Sequence, residues 1–173
     1  MSELIPVLSK EQIRTLVEKV AKQISVDYKG KELILIGVLK GAYIFCADIA
    51  REITLDRLKV DFLRAASYGG GTTSTEEIKL TKDIDIDITG AHVLVVEDIV
   101  DTGLTLRFLI DHLKSYNPAS IKICTMIDKK ERRKVDLQAD YACHVVQEGF
   151  LIGYGLDYDE KYRNLPGIYE MKL

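Results

Sequence analysis

The sequence predicts an α/β domain built on a mainly parallel sheet flanked by helices. Two aliphatic rows, Leu33 to Leu39 and Val93 to Val96, lack polar alternation and read as strands buried on both faces. Elsewhere apolar residues recur at helical spacing, at 13, 16, 17, 20, 21 and 24 and again at 106, 109, 110 and 113. Each row hands over to a helix through a short polar turn, where open α/β sheets hold their ligands. At 173 residues, 47% hydrophobic and 29% charged, the chain reads as one domain, 1–173, able to bury about two thirds of its unfolded surface.

In chain order, Ser9 and Gln12 form a capping box that opens the first helix. The polar stretch Asp27 to Lys31, with Gly30, follows it, and LILIGVL at 33–39 is a buried strand leading to Lys40 and Gly41. A helix runs from Ala42 to Ile53, and Val60 to Ala66 is a strand. Residues 67–77 hold three glycines and five Ser or Thr, which cannot bury a core. Flanked by strand-like segments, they are expected to form a mobile lid over about 67–80.

After Ile78 to Leu80, the alternation in DIDIDITG reads as a β segment with Asp83, Asp85 and Asp87 on its wet face. Gly90 then turns the chain into the central strand, which ends on Glu97, and the helix from Leu104 stops at Asn117 and Pro118. Ile121 to Ile127 is a strand finishing at Asp128 and Lys129, and Tyr141 to Val146 is another. The run KKERRK at 129–134 reads as a solvated face.

Chemistry concentrates in the loop after the central strand. Gly103 between two threonines lets backbone N–H groups curl around an oxyanion, and the positive end of the following helix attracts it, so phosphate fits there. Glu97 and Asp98 instead suit vicinal hydroxyls or a hard divalent cation. Capping a helix uses one side chain, whereas this loop carries three carboxylates. A phosphorylated sugar satisfies both halves.

The run Glu97-Asp98-Ile99-Val100-Asp101-Thr102-Gly103-Leu104-Thr105 resembles the phosphoribosyl pyrophosphate signature of type I phosphoribosyltransferases, in the form carried by the hypoxanthine-guanine family. The likeness runs from about Leu33 to Arg163 through several separated motifs. It implies the type I phosphoribosyltransferase fold, with a small hood made of the terminal segments. It also implies purine salvage: transfer of the phosphoribosyl group of 5-phosphoribosyl 1-pyrophosphate to N9 of hypoxanthine, and of guanine, giving IMP or GMP plus pyrophosphate.

Residue by residue, the resemblance implies that Thr102, Gly103, Leu104 and Thr105 cradle the 5-phosphate, while Glu97 and Asp98 hold the ribose hydroxyls directly or through Mg²⁺. Asp101 is the general base that accepts the purine's proton, its strength coming from positioning and from exclusion of water. Lys40 and Gly41 meet the pyrophosphate, after a Leu39–Lys40 bond that is often cis in the family, and Arg163 lies near it. Ser67 and Tyr68 close over the reacting centre. Lys129 bonds the purine's six-position oxygen, Phe150 stacks on the ring and Leu151 offers backbone hydrogen bonds. Asp157 helps hold a second Mg²⁺, which makes Glu97, Asp98 and Asp157 the metal residues. Relatives commonly place Lys before that Phe, where this chain has Gly149. A homodimer or homotetramer is the implied assembly.

Other classes find little support. A formal net charge of −3 with dispersed Lys and Arg leaves no nucleic-acid footprint, which weighs against an RNA-binding regulator of the same fold. A phospho-receiver domain with an acidic Mg²⁺ pocket would not need Lys40, the Ser67-Tyr68 pair and Phe150 together. Cys46, Cys124 and Cys143 sit in apolar stretches and read as buried thiols, and the three histidines show no zinc spacing. The first residues lack a signal-peptide pattern and no apolar run is long enough for a bilayer, so a cytoplasmic protein without membrane contact is expected.

Overall fold

The computed structural model describes residues 3–68 and 77–172. Among them the order is β1 (Glu3–Leu8), α1 (Lys10–Asp27), β2 (Leu33–Val38), α2 (Tyr43–Glu52), β3 (Leu58–Tyr68) and β4 (Glu77–Lys82). Then follow β5 (His92–Val100), α3 (Leu104–Lys114), β6 (Ser120–Lys129), β7 (Tyr141–Val146), β8 (Leu151–Ile152) and β9 (Ile168–Lys172). The six-stranded sheet has the order β4-β3-β2-β5-β6-β7, parallel except for the antiparallel edge strand β4.

Unbroken aliphatic rows follow from burial of both faces. Leu33, Leu35, Leu94 and Val96 pack on the side of α1 and α2, while Ile34, Ile36, Val93 and Val95 pack on the side of α3. The helices supply matching stripes, Ile13, Val17, Val20, Ala21 and Ile24 from α1 and Leu106, Leu109, Ile110 and Leu113 from α3. Ser9 caps α1 as read, with Gln12 N–H donating to its hydroxyl at 3.1 Å and Ser9 N–H donating to Gln12 Oε1 at 2.8 Å. The three cysteines are free and buried. No described helix is long and apolar enough to cross a membrane.

A second, antiparallel sheet joins the two ends of the chain in the order β1-β9-β8. Leu8, Leu151 and Ile168 anchor it to the α1 and α2 side of the core. Of the expected lid, residues 69–76 lie outside the described residues, whereas Ser67 and Tyr68 end β3 opposite Ile78 and Glu77 of β4.

One expectation is corrected. Residues 83–91 carry no strand, although Ile84, Ile86 and Ile88 do pack against the core beneath α3. Carboxylates take the N–H groups that a ladder would need: Asp61 accepts from Asp85 at 2.7 Å and Ile86 at 3.0 Å, and Asp83 accepts from Ile84 at 2.7 Å. Asp83 is not a free wet-face residue either, since His112 Nε2 lies 3.0 Å from both its oxygens and Tyr116 donates to it at 2.5 Å.

Asp61 also accepts from its neighbour's N–H on Phe62 at 2.7 Å. Burial pushes its carboxyl up, but the N–H groups of Ile86, Phe62 and Asp85 and the charge of Lys82 outweigh that and hold it below the ordinary 3.8. A lowered folded value means stability that is fully present above the unfolded value and lost as pH falls through the lower, folded one. Asp61→Asn is therefore expected to cost about 1–3 kcal/mol at pH 7, because an amide faces backbone donors with its own N–H. The gap should narrow once pH falls below the ordinary 3.8, and urea midpoints at pH 7 and pH 3 check it; a gap of equal size at both would contradict the account.

Candidate active site

Parallel register brings the ends of three strands together. Val38 ends β2, Val100 pairs with Asp128, and the next residues along, Asp101 and Lys129, therefore stand side by side. Lys129 Nζ lies 3.8 Å from Asp101 Oδ2 although Lys129 is only 6% exposed.

Glu97 and Asp98 occupy the end of the buried run in β5. Asp98 Oδ1 accepts from Ile99 N–H at 2.7 Å, and Glu97 Oε1 accepts from Asp98 N–H at 3.1 Å. Burial, then the charge of Asp98, pushes Glu97 well above its usual range, and burial likewise raises Asp98 against the opposing influences of Glu97, Ile99 N–H and Arg163. Two adjacent carboxylates in such surroundings resist ionising together unless a cation compensates them. Behind them stands Gly41, where an added Cβ would lie 1.9 Å from Asp98 Oδ2. The Leu39–Lys40 bond is cis.

The donor set suits Mg²⁺. Among the described residues no three Asp, Glu, His or Cys side chains gather into a cage, so Asp157 does not join Glu97 and Asp98 in one cluster. One or two hard carboxylates, with substrate oxygens and water completing the shell, is how Mg²⁺ is commonly held.

Next along the loop, Gly103 takes φ +81° as the residue before α3 and places no side-chain cap on it. Leu104 N–H reaches only Thr102 Oγ1, at 3.3 Å, so the first turn of α3 keeps donors to spare. Glu97, Asp101, Thr102, Gly103, Thr105 and Leu106 line a hollow of about 140 Å³ there. A larger cavity, about 770 Å³, lies between α1, α2 and residues 164–166 and holds none of the candidates.

Asp101 presents one oxygen, Oδ1, that is buried without a partner, while Oδ2 lies 3.5 Å from Arg132. Beneath it is Arg133, which departs from the solvated reading of KKERRK. Its guanidinium donates to Asp101 O at 3.0 Å, Val100 O at 3.3 Å, Lys129 O at 3.1 Å, Leu137 O at 2.6 Å and Asp128 Oδ1 at 2.5 Å. One side chain thus ties the β5 loop to the end of β6. Its partner Asp128 is only 4% exposed, and a carboxylate so buried requires a counter-charge. An Arg within a charge run gives no periodic signal of this in the sequence.

Two further cations, Lys40 after β2 and Arg163 from the far end of the chain, converge on one carboxylate. Lys40 Nζ meets Glu160 Oε2 at 2.8 Å, and Arg163 meets Glu160 Oε1 at 3.0 Å, Asp157 Oδ1 at 3.3 Å and Gly155 O at 2.7 Å. Arg163 Nε is buried with no partner. Gly155, at φ +97°, packs so closely on the Lys40-Gly41 turn that a Cβ would lie 2.1 Å from Gly41 O. Lys40, Gly41, Asp98, Asp157 and Arg163 therefore form one group, Asp101 and Lys129 a second.

Phe150 is 40% exposed beside Tyr158, ring centroids 5.6 Å apart and edge to face at 87°, with Leu151 buried in β8. Gly149 has φ +106°, and a Cβ there would come within 3.2 Å of the Glu170 carboxylate. Ser67 and Tyr68 are exposed, and among the described residues no hydrogen bond joins them to the acidic loop.

A sequence model described as the phosphoribosyl transferase domain matches residues 7–159. The hypoxanthine-guanine phosphoribosyltransferase of Streptococcus thermophilus is 46% identical over 164 residues, 95% of this chain and 91% of that protein. Among solved structures, a hypoxanthine-guanine phosphoribosyltransferase from Bacillus anthracis superposes with a TM-score of 0.91 at 46% identity, covering 99% of this chain and all of that one. A variant hypoxanthine phosphoribosyltransferase from Trypanosoma cruzi, solved as a ternary substrates complex, superposes with a TM-score of 0.90 at 40% identity, over 99% of this chain and 96% of that one. With this fold, this acidic strand end and these relatives, the chain belongs to the hypoxanthine-guanine branch of the type I phosphoribosyltransferases.

Proposed function

We propose that this chain transfers the phosphoribosyl group of 5-phosphoribosyl 1-pyrophosphate to N9 of hypoxanthine or guanine, forming IMP or GMP and releasing pyrophosphate. The observation that carries the reading is the juxtaposition of a carboxylate pair, buried Glu97 and half-buried Asp98, backed by Gly41, with the uncapped start of α3 beyond Gly103. One half suits ribose hydroxyls and the other a phosphate.

In this reading Thr102 to Thr105 would hold the 5-phosphate with backbone N–H groups and hydroxyls, fixing the ribose over Glu97 and Asp98. Lys40, the Gly41 backbone and Arg163 would face the pyrophosphate and offset the charge it gains on leaving. Asp101 Oδ1, buried and unpartnered, would accept the proton released from the purine ring. Lys129 would donate to the six-position oxygen, with Phe150 stacked on the base and Leu151 reading its edge through the backbone. Glu97 and Asp98, and separately Asp157, would hold Mg²⁺, which when bound neutralises and polarises pyrophosphate oxygens. Ser67 and Tyr68 would close over the centre and exclude water from a cation-like sugar.

Purine choice in this reading is set by distances around Phe150, Leu151 and Asp157. The same reading includes action in the cytoplasm, without nucleic-acid or membrane partners, as a homodimer or homotetramer. Ultraviolet absorbance with phosphoribosyl pyrophosphate, Mg²⁺ and each of hypoxanthine, guanine, xanthine and adenine tests it. Consumption of oxopurines but not adenine is expected; consumption of adenine alone, or of no base, would overturn it.

A further inference from the structure

Tyr158 to Lys161 is a closed turn, with Tyr158 N–H donating to Lys161 O at 3.1 Å and Lys161 N–H to Tyr158 O at 3.0 Å. Its central residues, Asp159 and Glu160, both take positive φ, 51° and 61°, the backbone of a type I′ turn. Glycine would adopt that conformation with less steric cost. Asp157 Oδ2 accepts from Glu160 N–H at 2.9 Å and fixes the turn from below.

This geometry delivers the Glu160 carboxylate to two cations at once. One oxygen meets Lys40 at 2.8 Å and the other meets Arg163 at 3.0 Å, so Glu160 bridges the end of β2 and the carboxyl-terminal segment. Hydrogen bonds from Lys40, then Arg163, hold its carboxyl below the usual glutamate range. The two cations it occupies are those assigned above to the pyrophosphate. A two-oxygen anion between a Lys and an Arg imitates two oxygens of a phosphate.

We propose that Glu160 is a resident counter-anion, which holds Lys40 and Arg163 in place before substrate arrives and is displaced by the pyrophosphate group. The proposal rests on the functional reading above and adds a residue that this reading did not contain. The exchange is one anion for another and involves no covalent step. Glu160 keeps two flexible cations ordered, but its carboxylate competes with pyrophosphate for them. When product forms, the carboxylate competes for the same cations and favours release. Asp157 stays in place, because its second oxygen is committed to Glu160 N–H.

Calorimetric titration with inorganic pyrophosphate, with and without Mg²⁺, compares the wild type with Glu160→Gln and Glu160→Asn, the latter tolerating positive φ. Both variants should bind roughly three- to tenfold more tightly, the size expected for two solvent-exposed ion pairs. In a Lys40→Gln background the gain should shrink, since one of the two pairs is already absent. A residue that merely ordered the cations would weaken binding when removed. Equal or weaker binding by both variants overturns the proposal, and weakening seen only with Mg²⁺ makes Glu160 a metal ligand instead. A wild type that binds no pyrophosphate and makes no nucleotide overturns the functional reading together with this one. A wild type that does both, beside variants with no gain, overturns this one alone.

Discussion

Asp101→Asn is expected to lower kcat by about 10²- to 10⁴-fold while leaving KM for phosphoribosyl pyrophosphate within about threefold. The asymmetry follows from where the side chain stands. Oδ1 is buried and without a partner, whereas Oδ2 faces Lys129 at 3.8 Å and Arg132 at 3.5 Å. Asparagine keeps the shape and one acceptor, so the loop that Arg133 holds through Asp101 O should survive. It cannot take up a proton. In the proposed reading the substrate's phosphate and ribose are held by neighbouring residues, which is why affinity should change little. Single-turnover rates separate the chemical step from product release, and equal rates in the two proteins would remove Asp101 from the role of base.

Gly155→Ala is expected to destabilise the fold by about 2–5 kcal/mol and to raise KM for phosphoribosyl pyrophosphate by tenfold or more. Two costs add. The residue sits at φ +97°, where a side chain is strained, and its Cβ would come within 2.1 Å of Gly41 O, a backbone atom that no rotamer change can move away. The Lys40-Gly41 turn would have to shift, and with it the backing of Asp98. Gly41→Ala should share the loss of affinity, because its Cβ would collide with an Asp98 carboxylate fixed by Ile99 N–H. Urea unfolding and initial rates measure both effects; a Gly155→Ala protein with unchanged midpoint and KM would contradict the packing described.

Much of this architecture is written locally. β2 and β5 are legible as aliphatic rows because both faces are buried, and α1 and α3 because their stripes repeat at 3.6 residues. The acidic loop is legible because three carboxylates and a glycine between threonines exceed what a helix cap needs. The Asp83 to Ile88 stretch misled for a physical reason: period-2 alternation records which side chains face the core, not whether N–H groups find a strand or the carboxylate of Asp61. The hood of terminal segments came from the resemblance alone, since its strands carry little local signal: β1 is largely exposed and contains Pro6, and β8 is two residues long. Arg133 and Glu160 were hidden because their importance lies in partners brought close by folding; Lys40 and Glu160 are 120 residues apart in sequence.

The most direct test of the whole account is the stoichiometry of products from hypoxanthine, phosphoribosyl pyrophosphate and Mg²⁺. The account predicts IMP, linked through N9, and pyrophosphate in equal amounts, with no ribose 5-phosphate above the background of spontaneous hydrolysis. Pyrophosphate released without nucleotide, or with ribose 5-phosphate in its place, would contradict it, because the site would then deliver the sugar to water and not to the purine.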